Sequence, residues 1–305
     1  MRDFNLSERL YKDSWLARYS PKRVIRRVKE LTLKQAIKKA GIYLLLLSLS
    51  LLFVGPFLWL FSTALKSSSE AIMQFPPQFI PKNPTLKNFI HVWNVLNLDR
   101  FMLNSVLVTG FTVLLNVFLS AAAAYPLARM DFFGRDWIFY AILSTMMIPR
   151  QLTYIPLFIL MNKIGLVNTY AGMILPFGVE AFGVFIMRQS YYSVPEDLEN
   201  SARVDGANEF QIWWKVVLPL VKPGMAALGI FVFIGSWSRF LWPLIIAQDK
   251  SRYTLTVGLE FLQGFFTGNW RYIAAGSVIS VVPIILFFIF TQRFFIEGLS
   301  GALKQ

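Results

Sequence analysis

One polar stretch, residues 193–219, carries five carboxylates whose spacing could support proton transfer: Glu196, Asp197, Glu199, Asp205 and Glu209. Paired carboxylates act as general acid and base when their surroundings push their pKa values apart. Helix chemistry explains the same residues more simply. Glu196 and Asp197 fall where a helix would begin, which favours negative charge, and Glu199 stands four residues before Arg203, the spacing of a helical ion pair. We therefore expect a charged docking face rather than a catalytic centre.

Other chemistries are excluded by the residues that the sequence lacks. The chain has no cysteine, so disulfides and thiol chemistry are ruled out, and its single histidine, His91, has no carboxylate cluster beside it for a metal. Gly224 and Gly229 have the spacing of a phosphate loop, but Ile230 and Phe231 follow where Lys and Ser or Thr are needed. We expect no cofactor and no ATP-binding site in this chain.

Two short helices must position the carboxylates, and we call residues 193–219 the polar hairpin. Ser193 with Glu196 predicts a capping box at the start of the first helix. Gly206 predicts the end of that helix, and Asn208 predicts a second capping box with the glutamine three residues later. The proline that ends the stretch marks where the second helix bends or stops. Two capped helices are more order than a spacer needs, which favours a surface presented to a soluble partner.

Composition places the polar hairpin between membrane spans. Hydrophobic residues make up 55% of the 305 residues and the mean hydropathy is +0.52, more apolar surface than a soluble domain of this length can bury. We expect an all-α, polytopic membrane protein. Six segments are long enough to cross a hydrocarbon core of ~30 Å as helices: about Ile42–Ser62, Leu103–Ala128, Trp137–Leu160, Tyr170–Met187, Pro223–Ile246 and Ile273–Phe294.

Positive charge predicts the orientation and the domain division. Residues 1–41 hold 12 of the 30 lysines and arginines, and the positive-inside rule then puts both termini and the polar hairpin in the cytoplasm. Within this basic arm, Val24–Ala40 predicts an interfacial helix on anionic lipid rather than a nucleic-acid-binding element. A transmembrane domain over residues 42–296 and a cytoplasmic tail over residues 297–305 complete the expected division.

A series of short motifs occurs in one fixed order along the chain: Phe75-Pro76-Pro77, Pro84-Thr85-Leu86, Asn104-Ser105, Ala124-Tyr125, Met147-Ile148-Pro149, Gly165-Leu166, Arg188-Gln189, Asp205-Gly206-Ala207, Leu218-Pro219, Gly235-Ser236-Trp237, Leu241-Trp242-Pro243-Leu244 and Gln292-Arg293. Each motif alone is weak. The ordered set, from about Leu60 to Lys304, resembles the permease family of carbohydrate ABC importers, specifically the maltose G-subunit-like half. The resemblance implies a six-helix type I permease that is not itself an enzyme.

The same resemblance gives the polar hairpin a role. In that family a Glu-Ala-Ala pattern, a glycine and a terminal Leu-Pro dock into the ATP-hydrolysing subunit. The family's Glu corresponds to Asn200, and whether Glu199 or Glu196 supplies the charge instead stays open. The implied ATPase-coupling residues are Glu196, Glu199, Asn200, Ser201, Ala202, Arg203, Asp205, Gly206, Ala207, Leu218 and Pro219.

Three ionisable residues lie within the apolar segments, where such residues are functional candidates. Arg150 follows a proline near a span end and is expected to snorkel to the interface. Glu180 and Arg239 fall at ~15 and ~12 Å from the outer surface by helical rise, so we expect them to pair. Either Arg239 makes the path tolerant of an acidic sugar, or the pair only fixes helix register. The substrate-path candidates are Glu180, Trp237, Ser238, Arg239, Phe240 and Trp242.

The resemblance also implies the partners. These are a second homologous permease, two ATP-binding subunits that hold ATP and Mg²⁺, and a periplasmic or extracellular solute-binding protein, assembled in a bacterial inner membrane. The external loop Ala247–Tyr272 is the expected contact for the binding protein. The alternative is a secondary sugar transporter driven by an ion gradient, which needs a carboxylate at a broken helix, and Glu180 is the candidate for that role. A membrane enzyme is weaker still, because the spans show no nucleophile or metal cluster.

Overall fold

The computed structural model describes residues 21–302, except residue 73, residues 75–77 and residues 266–268. The Phe75-Pro76-Pro77 motif and the first part of the basic arm lie outside the described residues. Throughout the described part the regular structure is helical and contains no strand, as the sequence predicts. In chain order the helices are α1 (Pro21–Leu65), α2 (Lys87–Leu96), α3 (Leu98–Arg129), α4 (Arg135–Ser144), α5 (Arg150–Lys163), α6 (Tyr170–Ile174), α7 (Ala181–Tyr192), α8 (Asp197–Val204), α9 (Glu209–Leu220), α10 (Lys222–Trp237), α11 (Leu241–Ile246), α12 (Leu255–Phe265) and α13 (Trp270–Ala302).

The chain divides into two compact units, Met1–Trp59 and Leu60–Gln305. In the first unit, α1 is already helical at Pro21 and has no break near residue 41, where the basic arm was expected to end. The second unit holds the other helices and the buried core. The predicted boundary between an arm and a first span stays a prediction, because one helix continues through it.

Among the described residues, three helices are long and apolar enough to cross a membrane: Gln35–Leu65, Leu98–Arg129 and Trp270–Thr291. Two bent pairs raise the number of spans to as many as five. In one pair, Tyr170–Phe177 and α7 meet at 48°, and in the other, α9 and α10 meet at 74°. The predicted third span is divided between two shorter helices, α4 and α5, which meet at a proline.

Helix α3 lies at the centre of the second unit, between α7 and α10. Small residues let the helices approach closely, as in other membrane proteins. Gly183 on α7 faces Ser120 on α3, and Ala121 and Ala124 are fully buried nearby. Tyr191 on α7 donates its hydroxyl to the Ala121 carbonyl at 3.0 Å. These contacts make α3 and α7 the packed pair on which the polar hairpin is built.

Three predicted spans are interrupted rather than straight. The fourth breaks at Gly178–Glu180, the fifth breaks between α10 and α11 at Ser238–Phe240, and the third breaks at Ile148–Pro149. Non-helical backbone at membrane depth is tolerated only where protein buries it or where it lines a water-filled cavity. At the break in the fourth span, a buried side chain satisfies part of the free backbone, because the Asn116 amide donates to the Phe177 carbonyl at 2.9 Å.

One carboxylate holds the described part of the proline-rich loop before α2, which the sequence predicts to be external. Glu70 accepts the backbone N–H groups of Lys82 and Asn83, both at 2.9 Å. These bonds lower the pKa of the Glu70 carboxyl. The described residues between Glu70 and Leu86 are not helical, as the prolines predict, and helix α2 follows them.

Candidate functional site

The polar hairpin has the two-helix form that its turn residues predict. Helix α8 ends at Val204, and Gly206 has a φ of 83°, a left-handed conformation that glycine adopts without strain. Helix α9 then begins with a reciprocal capping box. The Asn208 side chain accepts from the Gln211 N–H at 2.9 Å, and the Gln211 side chain accepts from the Asn208 N–H at 3.0 Å. The predicted turn and the second capping box are confirmed.

The first capping box is wrong. Ser193 has helical backbone angles and follows the end of α7, where its hydroxyl donates to the Ser190 carbonyl at 2.7 Å. The residue before α8 is Glu196, and its side chain makes no capping bond. The serine and the glutamate therefore belong to different helix ends. Their spacing suits a capping box, but α7 runs longer than the sequence indicates.

Glu199 points into the protein rather than toward a partner. Its side chain is 3% exposed, and its carboxylate lies 2.9 Å from the Arg129 Nε and 3.8 Å from the Arg203 guanidinium. The Tyr125 hydroxyl donates to the same carboxylate at 3.4 Å. Burial raises the pKa of the Glu199 carboxyl, and the two arginines oppose that rise. The predicted pair with Arg203 is confirmed. The buried Glu199 cannot present the charge of the family's usual Glu on the outer surface, whereas Glu196, with a side chain that is 78% exposed, stays a candidate for that role.

Arg129, the last residue of α3, connects the polar hairpin to the membrane helices. Its side chain is 4% exposed and contacts both Glu199 and Glu196, the latter at 3.1 Å. The same guanidinium donates to the Tyr191 carbonyl at 2.6 Å and to the Val194 carbonyl. One arginine thereby joins the end of α3, the end of α7 and the start of α8. Sequence patterns predict no role for Arg129 beyond positive charge at a span end.

A second set of bonds closes the polar hairpin on itself. Arg203 donates to Glu209 at 2.8 Å and to the Asn200 side chain at 2.9 Å, so α8 and α9 are tied together. The Tyr125 hydroxyl of α3 also lies 3.2 Å from Glu209, so Glu199 and Glu209 share its single proton. Ala202 and Ala207 pack against the buried core. The remaining predicted coupling residues complete the turns: Ser201, whose hydroxyl bonds the Asp197 carbonyl, Asp205 before the Gly206 turn, and Leu218 with Pro219 in the last turn of α9.

The outer surface of the polar hairpin is apolar at its tip. Val204 is 88% exposed and Phe210 is 66% exposed, one on each side of the Gly206 turn, and Leu198 is also exposed. Ile212 and Trp213 on the opposite side are buried. Exposed apolar side chains on a rigid, well-capped tip are typical of a docking surface.

Glu180 and Arg239 meet inside the predicted spans, and Arg150 joins them. The Glu180 Oε1 lies 2.7 Å from the Arg150 guanidinium and 3.6 Å from that of Arg239. The predicted pair is confirmed. Arg150 does not simply snorkel away, because the break before α5 turns its side chain toward Glu180. We call Arg150, Glu180 and Arg239 the charge triad.

The other substrate-path candidates lie beside the charge triad in different ways. Ser238 and Phe240 flank Arg239 in the break between α10 and α11. Trp237 and Trp242 are buried, and their indole N–H groups donate to backbone carbonyls, at 3.1 Å to Ser280 and 3.0 Å to Gly172. The two tryptophans therefore support the break by packing.

Interrupted spans that meet at a charged centre, together with a hairpin whose tip is apolar, are compatible with the membrane subunit of a transport system. The comparisons agree with this class. Residues 116–299 match the model of the binding-protein-dependent transport system inner membrane component family, and the chain belongs to that family. It is a non-catalytic permease subunit, and a partner ATPase hydrolyses ATP.

Relatives match nearly the whole chain. The arabinooligosaccharides transport system permease protein AraQ of Bacillus subtilis is 36% identical over 272 residues, covering 88% of this chain and 97% of the relative. The diacetylchitobiose uptake system permease protein NgcG of Streptomyces coelicolor is 32% identical and covers 86% of each chain. Among solved structures, a chain of a bacterial ABC transporter involved in the import of the acidic polysaccharide alginate matches with a TM-score of 0.72 and 25% identity, covering 91% of this chain and 99% of the other.

Proposed function

We propose that this chain is the permease subunit of an ATP-driven, binding-protein-dependent importer of oligosaccharides. It lines the translocation path together with a second permease, takes sugar from a solute-binding protein outside the cell, and is driven by two ATP-binding subunits. Both termini and the polar hairpin face the cytoplasm. The relatives named for arabinooligosaccharide and diacetylchitobiose transport support the substrate class.

The coupling role rests on the contacts that Arg129 makes with Glu196, Glu199 and the end of α7, which we call the clamp. Tyr125 of α3 also lies within hydrogen-bond distance of Glu199 and Glu209. Because these contacts join all three segments, α3, α7 and the hairpin move as one body. Closure of the ATPase pair on ATP then displaces the hairpin. Because the hairpin is bound tightly to α3 and α7, its displacement moves the broken spans with it. Rigid-body motion of this kind switches the path between its inward-facing and outward-facing states.

The docking face is the outer tip of the polar hairpin. Glu199 takes no part in it because its carboxylate is buried, and Asn200 is held by Arg203. Val204 and Phe210 supply the apolar anchors that a groove on the ATPase would take up, with Asp205 at the turn between them. Apolar anchors in pockets dominate the free energy of most interfaces.

The alternative of an ion-driven transporter needs Glu180 as a cation ligand. The two guanidinium groups on its Oε1 already neutralise the carboxylate and leave the local charge positive. The net positive charge of this site disfavours binding of a further cation. The charge triad therefore favours the ATP-driven mechanism.

Changing Val204 to aspartate should weaken docking to the ATPase without disturbing the fold, because the Val204 side chain is exposed. The substitution puts a charge where the apolar tip enters the ATPase, so we expect ATPase binding to weaken about 30-fold, or about 2 kcal/mol. The measurement is the affinity of the purified permease pair for the ATPase in detergent. Ile80→Asp is the matched control, since Ile80 is 83% exposed and lies on the predicted external side. Equal ATPase binding by wild type and Val204→Asp would contradict the docking face.

A further inference from the structure

The charge triad is assembled from three separate interruptions of helix. Arg150 begins α5 after Pro149, Glu180 precedes α7, and Arg239 lies between α10 and α11. Two of the charges suit their helix ends, whereas Arg150 stands at the positive N-terminus of α5 and depends on Glu180 for compensation. Glu180 stands at the positive N-terminus of α7, and Arg239 follows the negative C-terminus of α10. Three broken helices thus converge on one carboxylate oxygen.

One carboxylate shared by two guanidinium groups leaves a formal charge of +1 on the charge triad. Arg239 is the fixed member, because its side chain is only 13% exposed and its guanidinium carbon lies 3.3 Å from the centre of the Phe177 ring. Arg150 is the accessible member, with a side chain that is 52% exposed. The excess positive charge is therefore carried by the arginine that a ligand can reach.

The half-exposed guanidinium of Arg150 lies within the predicted spans, where the free energy of placing a charge against lipid chains is high. Charged side chains at membrane depth face a bundle interior or a water-filled cavity. The irregular backbone at the same place requires the same surroundings, since its free polar groups need protein or water. Both observations put Arg150 and Glu180 on a wet surface rather than on the lipid-facing side.

We propose that the charge triad is a selectivity site for an anionic sugar, with Glu180 as the internal counterion that the anionic group of the substrate replaces. The proposal rests on the proposed sugar-importer function and names its substrate class. The guanidinium of Arg150 presents a planar pair of N–H donors that matches a carboxylate, as on a uronate, or a phosphate. When no substrate is bound, Glu180 keeps both arginines in place and neutralises one of them. A neutral sugar has no anionic group that could replace the Glu180 carboxylate as counterion of the arginines.

The test is ligand binding to the complete permease–ATPase complex in nanodiscs, without the binding protein, so that the selectivity of that protein does not enter. Three probes are compared by equilibrium dialysis: an oligosaccharide carrying one uronate, its methyl ester, and glycerol 3-phosphate. The ester differs from the acid only in charge. We expect the acid to bind about tenfold more tightly than the ester, as a charge-assisted hydrogen bond provides.

Two variants assign the preference to the charge triad. Arg150→Gln should bring the acid-to-ester ratio close to one, and Glu180→Gln should tighten acid binding because it removes the competing carboxylate. Arg135→Gln is the control, since Arg135 stands at the start of α4, pairs with the exposed Asp131 and Asp136, and makes no ion pair with a member of the charge triad. Tighter binding of glycerol 3-phosphate than of the uronate, lost in Arg150→Gln, would support the site and identify phosphate as its anion.

Equal binding of acid and ester by the wild type, or an unchanged ratio in Arg150→Gln, would overturn the proposal. Loss of permease pairing in Arg150→Gln would do the same, because it would make Arg150 a subunit contact. ATP-dependent uptake of the methyl ester by cells that express the whole importer is measured in parallel. Uptake of the ester without any preference for the acid would reject the anion site alone, whereas failure to take up or bind any sugar would reject the importer function as well.

Discussion

Replacing Arg129 with methionine should cost the protein about 3–5 kcal/mol of stability, because it leaves the buried Glu199 carboxylate without its closest cation. The polar hairpin would also lose the donor that ties it to the Tyr191 and Val194 carbonyls. We expect a lower melting temperature in detergent. We also expect ATP hydrolysis by the assembled importer that no longer responds to the binding protein.

The pH dependence of the Arg129→Met variant should show the buried carboxylate directly. Burial raises the pKa of Glu199 and Arg129 lowers it, so removing the arginine raises the folded-state pKa further. A carboxyl whose pKa is higher in the folded state stabilises the fold while it is protonated. The variant should therefore be most stable at acidic pH and should lose stability as the pH rises through the folded-state pKa.

Two companion variants identify the cause of the Arg129 effect. Arg129→Met combined with Glu199→Met should recover most of the lost stability, since replacing both buried charges removes the unpaired group. Arg135→Gln breaks an exposed pair with Asp131 and should change stability by less than about 1 kcal/mol. A double variant no more stable than Arg129→Met would show that the clamp does not act through this ion pair.

Changing Gly183 to valine should separate α7 from α3. A Cβ atom at this position would lie 2.3 Å from the Ser120 Oγ and 3.0 Å from the Asn116 side-chain oxygen. Asn116 in turn holds the Phe177 carbonyl next to the break that carries Glu180. We expect a loss of about 1–3 kcal/mol or more from overpacking. Thermal unfolding in detergent measures the loss, and transport should fall further than stability because the break moves.

Gly235→Val provides the matched control for Gly183→Val. Gly235 is also a helical glycine, but a Cβ atom there meets nothing within 4 Å in the described chain. Both variants add the same β-branched side chain to a helix. Equal stability of the two variants would contradict close packing of α7 on α3.

Local patterns predicted the polar hairpin well because its turns are determined by neighbouring residues. Gly206 and Asn208 act on backbone groups within a few positions, and both behave as their types require. The pairing of Glu180 with Arg239 was also predictable, since two opposite charges at similar depth in apolar helices lower each other's burial cost. The capping box predicted at Ser193 is wrong because packing, rather than capping, determines where α7 ends.

Tertiary contacts could not be predicted from the same patterns. Arg129 looks like an ordinary basic residue at a span end, and only the fold brings it to Glu199. Glu199 itself faces inward because α8 lies against α3, which no periodicity in an eight-residue helix reveals. Arg150 was assigned to the interface because the sequence does not show that the third span breaks beside the fourth. Contacts between distant segments depend on helix packing, and spacing carries no information about it.

The wide turns of α9 hold one residue more than α-helical turns of the same rotation would. Residues Ile212–Val217 form a π-helix, in which each hydrogen bond encloses one residue more than in an α-helix. Such a segment accommodates one inserted residue while the helix that follows keeps its buried side. Deleting one residue, such as Lys215, should therefore restore α-helical bonding and leave Val217, which is fully buried, on the same side of the helix. Related chains should be able to lose one residue in this segment and still form the polar hairpin.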